Sequence, residues 1–224
     1  MNNLTLFDLD HTLLPLDSDY EWGQFMTRIG AVDPVEFATR NTEFFAQYQA
    51  GTLDPQEYLK FLFGTLARFP RTQLDQWHLQ FMEEVIHPAI RPCARDLVKR
   101  HQDAGDLIAI VTATNRFVTA PIARELGVEH LIAAEPELLD SGDLTGGVLG
   151  IPPYGEGKIA NTLAWLGAMG KTLQSFERST FYSDSQNDIP LLTIVTHPVA
   201  TNPNAKLTAH AKAHGWPILK LFND

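Results

Sequence analysis

The chain has 224 residues, 44% of them apolar, which suits one α/β domain carrying an insertion. Lys and Arg number 17 against 27 Asp and Glu, and the net charge of −10 is the wrong sign for non-specific binding to nucleic acid or an anionic membrane. No apolar run nears the roughly 18–20 residues of a membrane span, and Cys93 is the only cysteine, which excludes an internal disulfide, a catalytic CxxC pair and a four-cysteine zinc site. Met1-Asn2-Asn3 lacks the basic start of a signal peptide, so a cytoplasmic protein is expected.

Leu4-Thr5-Leu6-Phe7 reads as a buried parallel strand ending in Asp8-Leu9-Asp10. Residues 17–88 then differ in texture. They hold 13 of the 22 aromatic residues, where an even spread would place about 7. Trp22/Phe25, Phe44/Tyr48, Tyr58/Phe61 and Trp77/Phe81 fall at the i+3 or i+4 spacing of an apolar helix face and are expected to pack rather than to bind ligand. Asp33-Pro34 and Asp54-Pro55 have the form of an N-cap followed by an N1 proline. A helical bundle inserted after the first strand is predicted.

From residue 89 onward, helices predicted at 94–104, 117–126, 158–170, 189–194 and 205–213 alternate with strands at 106–112, 179–184, 197–202 and 216–220. That rhythm predicts right-handed crossovers and a Rossmann-like, doubly wound parallel sheet. Residues 131–150 break it, and the turn signals Asp140-Ser-Gly-Asp143 and Gly146-Gly147 predict a β-hairpin there. The predicted division is a core of residues 1–16 and 89–224 and a helical cap of residues 17–88.

Four features carry chemistry. Asp8 and Asp10, at i and i+2 past a strand, read either as a solvated turn or as two carboxylates over the sheet's carboxyl edge, where a divalent cation would relieve their repulsion. Asp184 and Asp188 flank Ser185-Gln186-Asn187 after a later strand, with Asp188 also expected to cap the next helix. Thr112 ends another strand. Lys158, in Gly155-Glu156-Gly157-Lys158, opens a helix without a P-loop pattern. Taken together they supply a nucleophile, a proton donor, metal ligands and phosphate clamps.

In order and spacing, Asp8-Leu-Asp-His-Thr12, Thr112, Lys158 and Ser183-Asp-Ser-Gln-Asn-Asp188 resemble the haloacid dehalogenase superfamily of phosphohydrolases, in its phosphoserine-phosphatase-like branch. The departures are small: His11 stands where Gly or Ser is usual, and Thr112 and Thr114 where Ser is common. The resemblance implies that Asp8 attacks phosphorus and that Asp10 exchanges protons with the leaving group and with water. It implies that Asp8, the Asp10 backbone carbonyl and Asp184 hold Mg2+, and that Thr112, Ala113 and Lys158 grip the phosphoryl oxygens. It also implies that Asp188 orients Lys158 or a metal-bound water while Asn187 supports the loop. The second aspartate, which the dehalogenases lack, points to phosphate esters.

Asp17, nine residues after Asp8, stands where phosphoserine phosphatases carry an acid that meets the substrate ammonium, and Asp19 and Glu21 follow it. Residues 17–88 hold 11 acids against 5 bases, which an ordinary solvated face would also explain. The expected substrate is a small amino-bearing phosphomonoester, with histidinol phosphate and phosphoserine as candidates. Phosphoserine would also need a cation for its carboxylate, from Arg28, Arg40, Arg68 or Arg71. A phosphomutase of the same superfamily and a non-catalytic binding protein on this fold remain as alternatives, and the oligomeric state is left open.

Overall fold

The computed structural model describes residues 3–222. Its strands are β1 (Asn3–Phe7), β2 (Leu107–Asn115), β3 (His130–Leu138), β4 (Leu144–Leu149), β5 (Arg178–Ser183), β6 (His197–Thr201) and β7 (Ile218–Leu219). They form a seven-stranded sheet in the order β4-β3-β2-β1-β5-β6-β7, parallel throughout except between β3 and β4. The central strand is buried on both faces and largely apolar, as suits a strand covered on both sides. Leu4 and Leu6 join one buried cluster with Phe181 and Leu207, while Phe7 joins another with Ile110 and Trp22. The chain builds β2 on one side of β1 and later returns to build β5 on the other. A crevice therefore opens at the carboxyl ends of β2, β1 and β5, where open α/β sheets bind ligands.

Between β1 and α6 (Pro92–Asp103) lie α1 (Ser18–Arg28), α2 (Pro34–Ala50), α3 (Pro55–Leu66), α4 (Arg71–Phe81) and the short α5 (His87–Ala89). The prolines stand at N1 as their fixed φ favours. Asp54 accepts from the backbone N–H groups of Gln56 and Glu57, and Asp33 from that of Val35 at 2.9 Å. A π-helical turn over Met82–Ile86 joins α4 to α5 and was not legible in the sequence. The remaining helices are α7 (Arg116–Glu125), α8 (Glu156–Ala168), α9 (Ile189–Ile194) and α10 (Ala205–His214). No helix among the described residues is long and apolar enough to cross a membrane.

Two differences from the sequence-based expectation shape the site. β2 continues past Thr112 to Asn115, so Thr112, Ala113 and Thr114 are strand residues. The expected hairpin is present, but its first half also pairs in parallel with β2 through His130–Ile132. It therefore extends the sheet instead of interrupting it. One apolar cluster runs without a break from Phe7 and Ile110 of the sheet to Trp22, Phe63 and Phe81 of the inserted helices.

Candidate active site

The segment after β1 folds back under its own strand. His11 takes a left-handed φ of 57°, a conformation that favours Gly and is tolerated by His, and the N–H groups of Thr12, Leu13 and Leu14 gather on the Leu9 carbonyl. This tight turn brings Thr12 to the carboxylates. Its hydroxyl lies 3.3 Å from Asp8 Oδ2 and 3.4 Å from Asp184 Oδ1, and it accepts from the Asp184 backbone N–H at 3.1 Å. With one hydrogen to give, Thr12 serves one carboxylate at a time.

Lys158 arrives from the start of α8. Gly155 there has φ 54° and ψ −122°, and a Cβ on Gly157 would lie 2.1 Å from the Pro152 carbonyl oxygen, so both glycines are needed for the close turn. Lys158 is 3% exposed, and its ammonium donates to Asp8 Oδ1 at 2.8 Å and Asp188 Oδ2 at 2.7 Å. Ser183 donates to the same Asp188 oxygen at 2.7 Å. Asp188 occupies the N-cap position of α9, but its side chain makes no capping bond, which corrects the expectation that it would both cap and bind. The carboxylate is already committed to Lys158 and Ser183. Asn187 turns the other way: its amide reaches the Tyr48 carbonyl at the end of α2, at 3.4 Å. It ties the loop to the inserted helices.

Asp10 is held at both oxygens. The Ser18 backbone N–H, unpaired at the start of α1, donates to Oδ1 at 2.9 Å, and the Thr114 hydroxyl donates to Oδ2 at 2.7 Å. Burial, and then the charge of Asp17, pushes the Asp10 carboxyl up to about 6 against these two hydrogen bonds. Thr112 Oγ1 accepts from the Thr114 N–H at 3.1 Å, and Thr112, Ala113 and Thr114 face the same cavity as Asp8 and Asp10. The sequence reading gave Thr12 and Thr114 no role. Strand alternation was the available signal for Thr114, because it puts residues 112 and 114 on one face.

The cavity above these carboxylates is narrow and encloses about 650 Å³ counted out to its mouth. Asp17 and Asp19 also line it, together with Phe44, Tyr48, Tyr58 and Tyr154. The aromatic residues of the insertion pack as expected, Phe44 and Tyr58 included, and some of them also face the cavity. Trp22, Phe25 and Phe81 stack into the core, whereas Phe44, Tyr48 and Tyr58 wall the cavity. Asp17 caps α1 through the Tyr20 N–H at 2.8 Å, and burial pushes its carboxyl up to about 6. None of the described lining residues is Lys, Arg or His. Of the arginines considered for a substrate carboxylate, Arg28 pairs with Glu84, Arg40 with Glu43 and Glu57, and Arg71 with Asp75, while Arg68 is exposed beside Phe69.

The donor set fits a hard divalent cation. Asp8 and Asp184 converge on the Thr12 hydroxyl, and burial, with Asp8 and Asp188 nearby, pushes the Asp184 carboxyl well above its usual range. That is the behaviour of a buried anion short of positive charge. Each side-chain oxygen of Asp10 already accepts a hydrogen bond, and the resemblance implies its backbone carbonyl as the further ligand. Among the described residues no group of three or more His, Cys, Asp or Glu side chains forms a metal cage, so a cation here would lean on that carbonyl and on water.

Residues 5–193 match the haloacid dehalogenase-like hydrolase family. A histidinol-phosphatase of Neisseria meningitidis serogroup C (strain 8013) is 43% identical over 219 residues, covering 98% of this chain and 99% of that protein. A phosphoserine phosphatase of Mycobacterium tuberculosis (strain ATCC 25618 / H37Rv) is 36% identical over 139 residues, 62% of this chain and 44% of that protein. Among solved structures, a protein of unknown function from Bordetella pertussis Tohama I superposes with a TM-score of 0.94 at 49% identity, covering 99% of this chain and 100% of that one. A substrate-bound phosphoserine phosphatase superposes with a TM-score of 0.67 at 18% identity over 98% of this chain and 93% of its own, a likeness of fold.

Proposed function

The chain belongs to the haloacid dehalogenase-like hydrolases and is a phosphoric monoester hydrolase of that family, and from this premise we propose that it hydrolyses histidinol phosphate. One observation carries the choice. The cavity over Asp8 and Asp10 is lined by further carboxylates and aromatic rings, with no cationic side chain among its described lining. That surface complements a substrate whose organic half carries an ammonium and an imidazole but no carboxylate. Phosphoserine would bring a carboxylate to a wall of carboxyl groups with no cation to meet it. The full-length likeness to a histidinol-phosphatase agrees with this reading.

In this mechanism Asp8, held by Lys158 and Thr12, attacks phosphorus. The ester P–O bond breaks as the aspartyl–phosphate bond forms. Asp10, with its carboxyl pushed up to about 6, gives its proton to the leaving alkoxide, then takes one from the water that releases inorganic phosphate and regenerates Asp8. Lys158, the Thr112 hydroxyl and the backbone at Ala113 hold the phosphoryl oxygens. Asp188 keeps Lys158 in place, and Asn187 ties the loop to the insertion of residues 17–88, which acts as a cap over the site. Asp8, Asp184 and the Asp10 carbonyl would hold Mg2+, which would supply positive charge to the phosphoryl oxygens. Asp17 takes the substrate ammonium.

Steady-state release of free phosphate with Mg2+ tests the reading. Histidinol phosphate should exceed phosphoserine in kcat/KM by about 100-fold, the scale of one uncompensated charge worth roughly 3 kcal/mol. Turnover should need no bisphosphate primer, which a mutase would require. Asp17→Asn keeps the helix cap, since Asn caps as well as Asp. It should lower kcat/KM on amine-bearing esters by about 30-fold or more relative to p-nitrophenyl phosphate. Equal rates on phosphoserine and histidinol phosphate would overturn the choice of substrate.

A further inference from the structure

Asp19 is the second residue of α1, and the roles given to Asp8, Asp10 and Asp17 leave it unused. It is 4% exposed yet lines the cavity. Asn115 ends β2 and caps α7 by accepting from the Val118 N–H at 3.0 Å through Oδ1. That bond fixes the amide, so Nδ2 must donate to Asp19 Oδ1, at 2.8 Å. The Tyr58 hydroxyl, from α3, donates to Asp19 Oδ2 at 2.6 Å. The carboxylate is thus aimed by two donors from two different elements, and each of its oxygens keeps a further acceptor position.

Two further observations point to a ligand. The Tyr154 hydroxyl, on the same cavity, is buried and has no hydrogen-bond partner. Orphaned buried hydroxyls are uncommon unless something polar visits them. Burial also pushes the Asp19 carboxyl up to about 8, against the Tyr58 hydrogen bond and aided by the charges of Asp17 and Asp10. No cation stands among the described residues that line the cavity.

The geometry points to Asp19, presented by Tyr58 and Asn115, as the specificity residue that accepts an N–H from the substrate's distal imidazole. This rests on the histidinol phosphate reading and extends it. Asp17 and Asp19 both line the cavity, and Asp19 sits against Tyr58 of α3 and Asn115 of β2. An ammonium near the phosphate would meet Asp17, and a ring one carbon further on would reach Asp19. Phe44, whose ring centroid is 5.2 Å from that of Tyr58, gives the flat ring an apolar wall.

The test compares histidinol phosphate, 2-aminopropyl phosphate (an amine without the ring) and p-nitrophenyl phosphate on wild type, Asp19→Asn and Tyr58→Phe. Wild type should favour the ring-bearing amine over the ringless one. Asp19→Asn should lower kcat/KM on histidinol phosphate by about 10- to 150-fold, mainly through KM, the range of a hydrogen bond to a charged group. Its losses on the other two esters should be at least tenfold smaller. Tyr58→Phe removes one hydroxyl from a packed ring and should show the same selectivity at about 3- to 10-fold, so the idea stays testable if Asp19→Asn folds poorly. Equal losses on all three esters, or none, would make Asp19 a strut between α1, α3 and β2 and overturn its assignment alone. A wild type indifferent to the ring would overturn the substrate reading with it.

Discussion

Burial alone would strip the Lys158 ammonium of its proton, but the carboxylates of Asp188 and Asp8 outweigh it and hold the group above its usual range. A charged lysine fixed on the nucleophile makes the Asp8 position testable by a near-isosteric change. Asp8→Asn keeps the volume and an oxygen for Lys158 but removes the attacking anion. Phosphate release should fall by at least about 10³-fold while circular dichroism stays native. Turnover retained within tenfold in a folded variant would remove Asp8 from the chemistry. Thr114 gives a subtler test through Asp10. Its hydroxyl is one of the bonds that hold the Asp10 carboxyl down, so Thr114→Val should move that carboxyl up by about 0.7 unit for a bond worth roughly 1 kcal/mol. The acidic limb of the kcat–pH profile, where Asp10 must be ionised to take a proton from water, should shift to higher pH by that amount. An unmoved limb would assign it to another group.

At the start of α8 the two glycines do different work from the glycine near its end. A Cβ at Gly157 would meet the Pro152 carbonyl oxygen at 2.1 Å, whereas one at Gly167 meets nothing within 4 Å. Gly157→Ala must therefore shift the first turn of the helix and carry Lys158 off Asp8, at an expected cost of about 10²-fold or more in kcat. Gly167→Ala should raise stability by up to about 1 kcal/mol, or about 2–4 °C in Tm, with kcat unchanged. Equal effects from the two would mean that the helix start is soft. The same element shows what a sequence can reveal. Lys158 between glycines, and the acids at the ends of β1 and β5, were legible because each sits in a local pattern of strand, turn and helix. The parallel pairing of β3 with β2 was not, because turn signals at Asp140-Ser-Gly-Asp143 advertise the hairpin and nothing local advertises a partner such as Val111 for Ile132 on the strand before it. Tyr58 escaped for the same reason. Its hydroxyl acquires a role only when α3 packs over Asp19, 39 residues away in the chain. Spacing records which residues share a face; it does not record which faces meet.

Over the whole molecule, the inserted helices and the sheet share one apolar cluster, and the carboxylates of the site are enclosed where they join. That enclosure has a thermodynamic consequence. Asp10 and Asp17 are pushed up to about 6 and Asp19 to about 8, each chiefly by burial, against about 3.9 in an unfolded chain. Across that interval the folded state binds more protons than the unfolded one, so stability falls as pH rises from about 4 to 8 and then levels off. Carboxylates shifted the other way, such as Glu125 held down by its hydrogen bond from Arg95, lose their contribution only in more acid solution. In EDTA, Tm should therefore drop by about 5 °C or more between pH 5.5 and pH 8, since 1 kcal/mol corresponds to about 2–4 °C for a chain of this size. Mg2+ should flatten the slope by giving Asp184, which burial also pushes well above its usual range, a counter-charge. Asp19→Asn, which has no proton to lose, should remove the part of the decline between pH 6 and 8. Calorimetry of the two proteins with and without Mg2+ reads all three effects. A wild-type Tm that rises with pH in EDTA would show that these carboxylates are not buried without charge compensation, and that the cavity is open to water in solution.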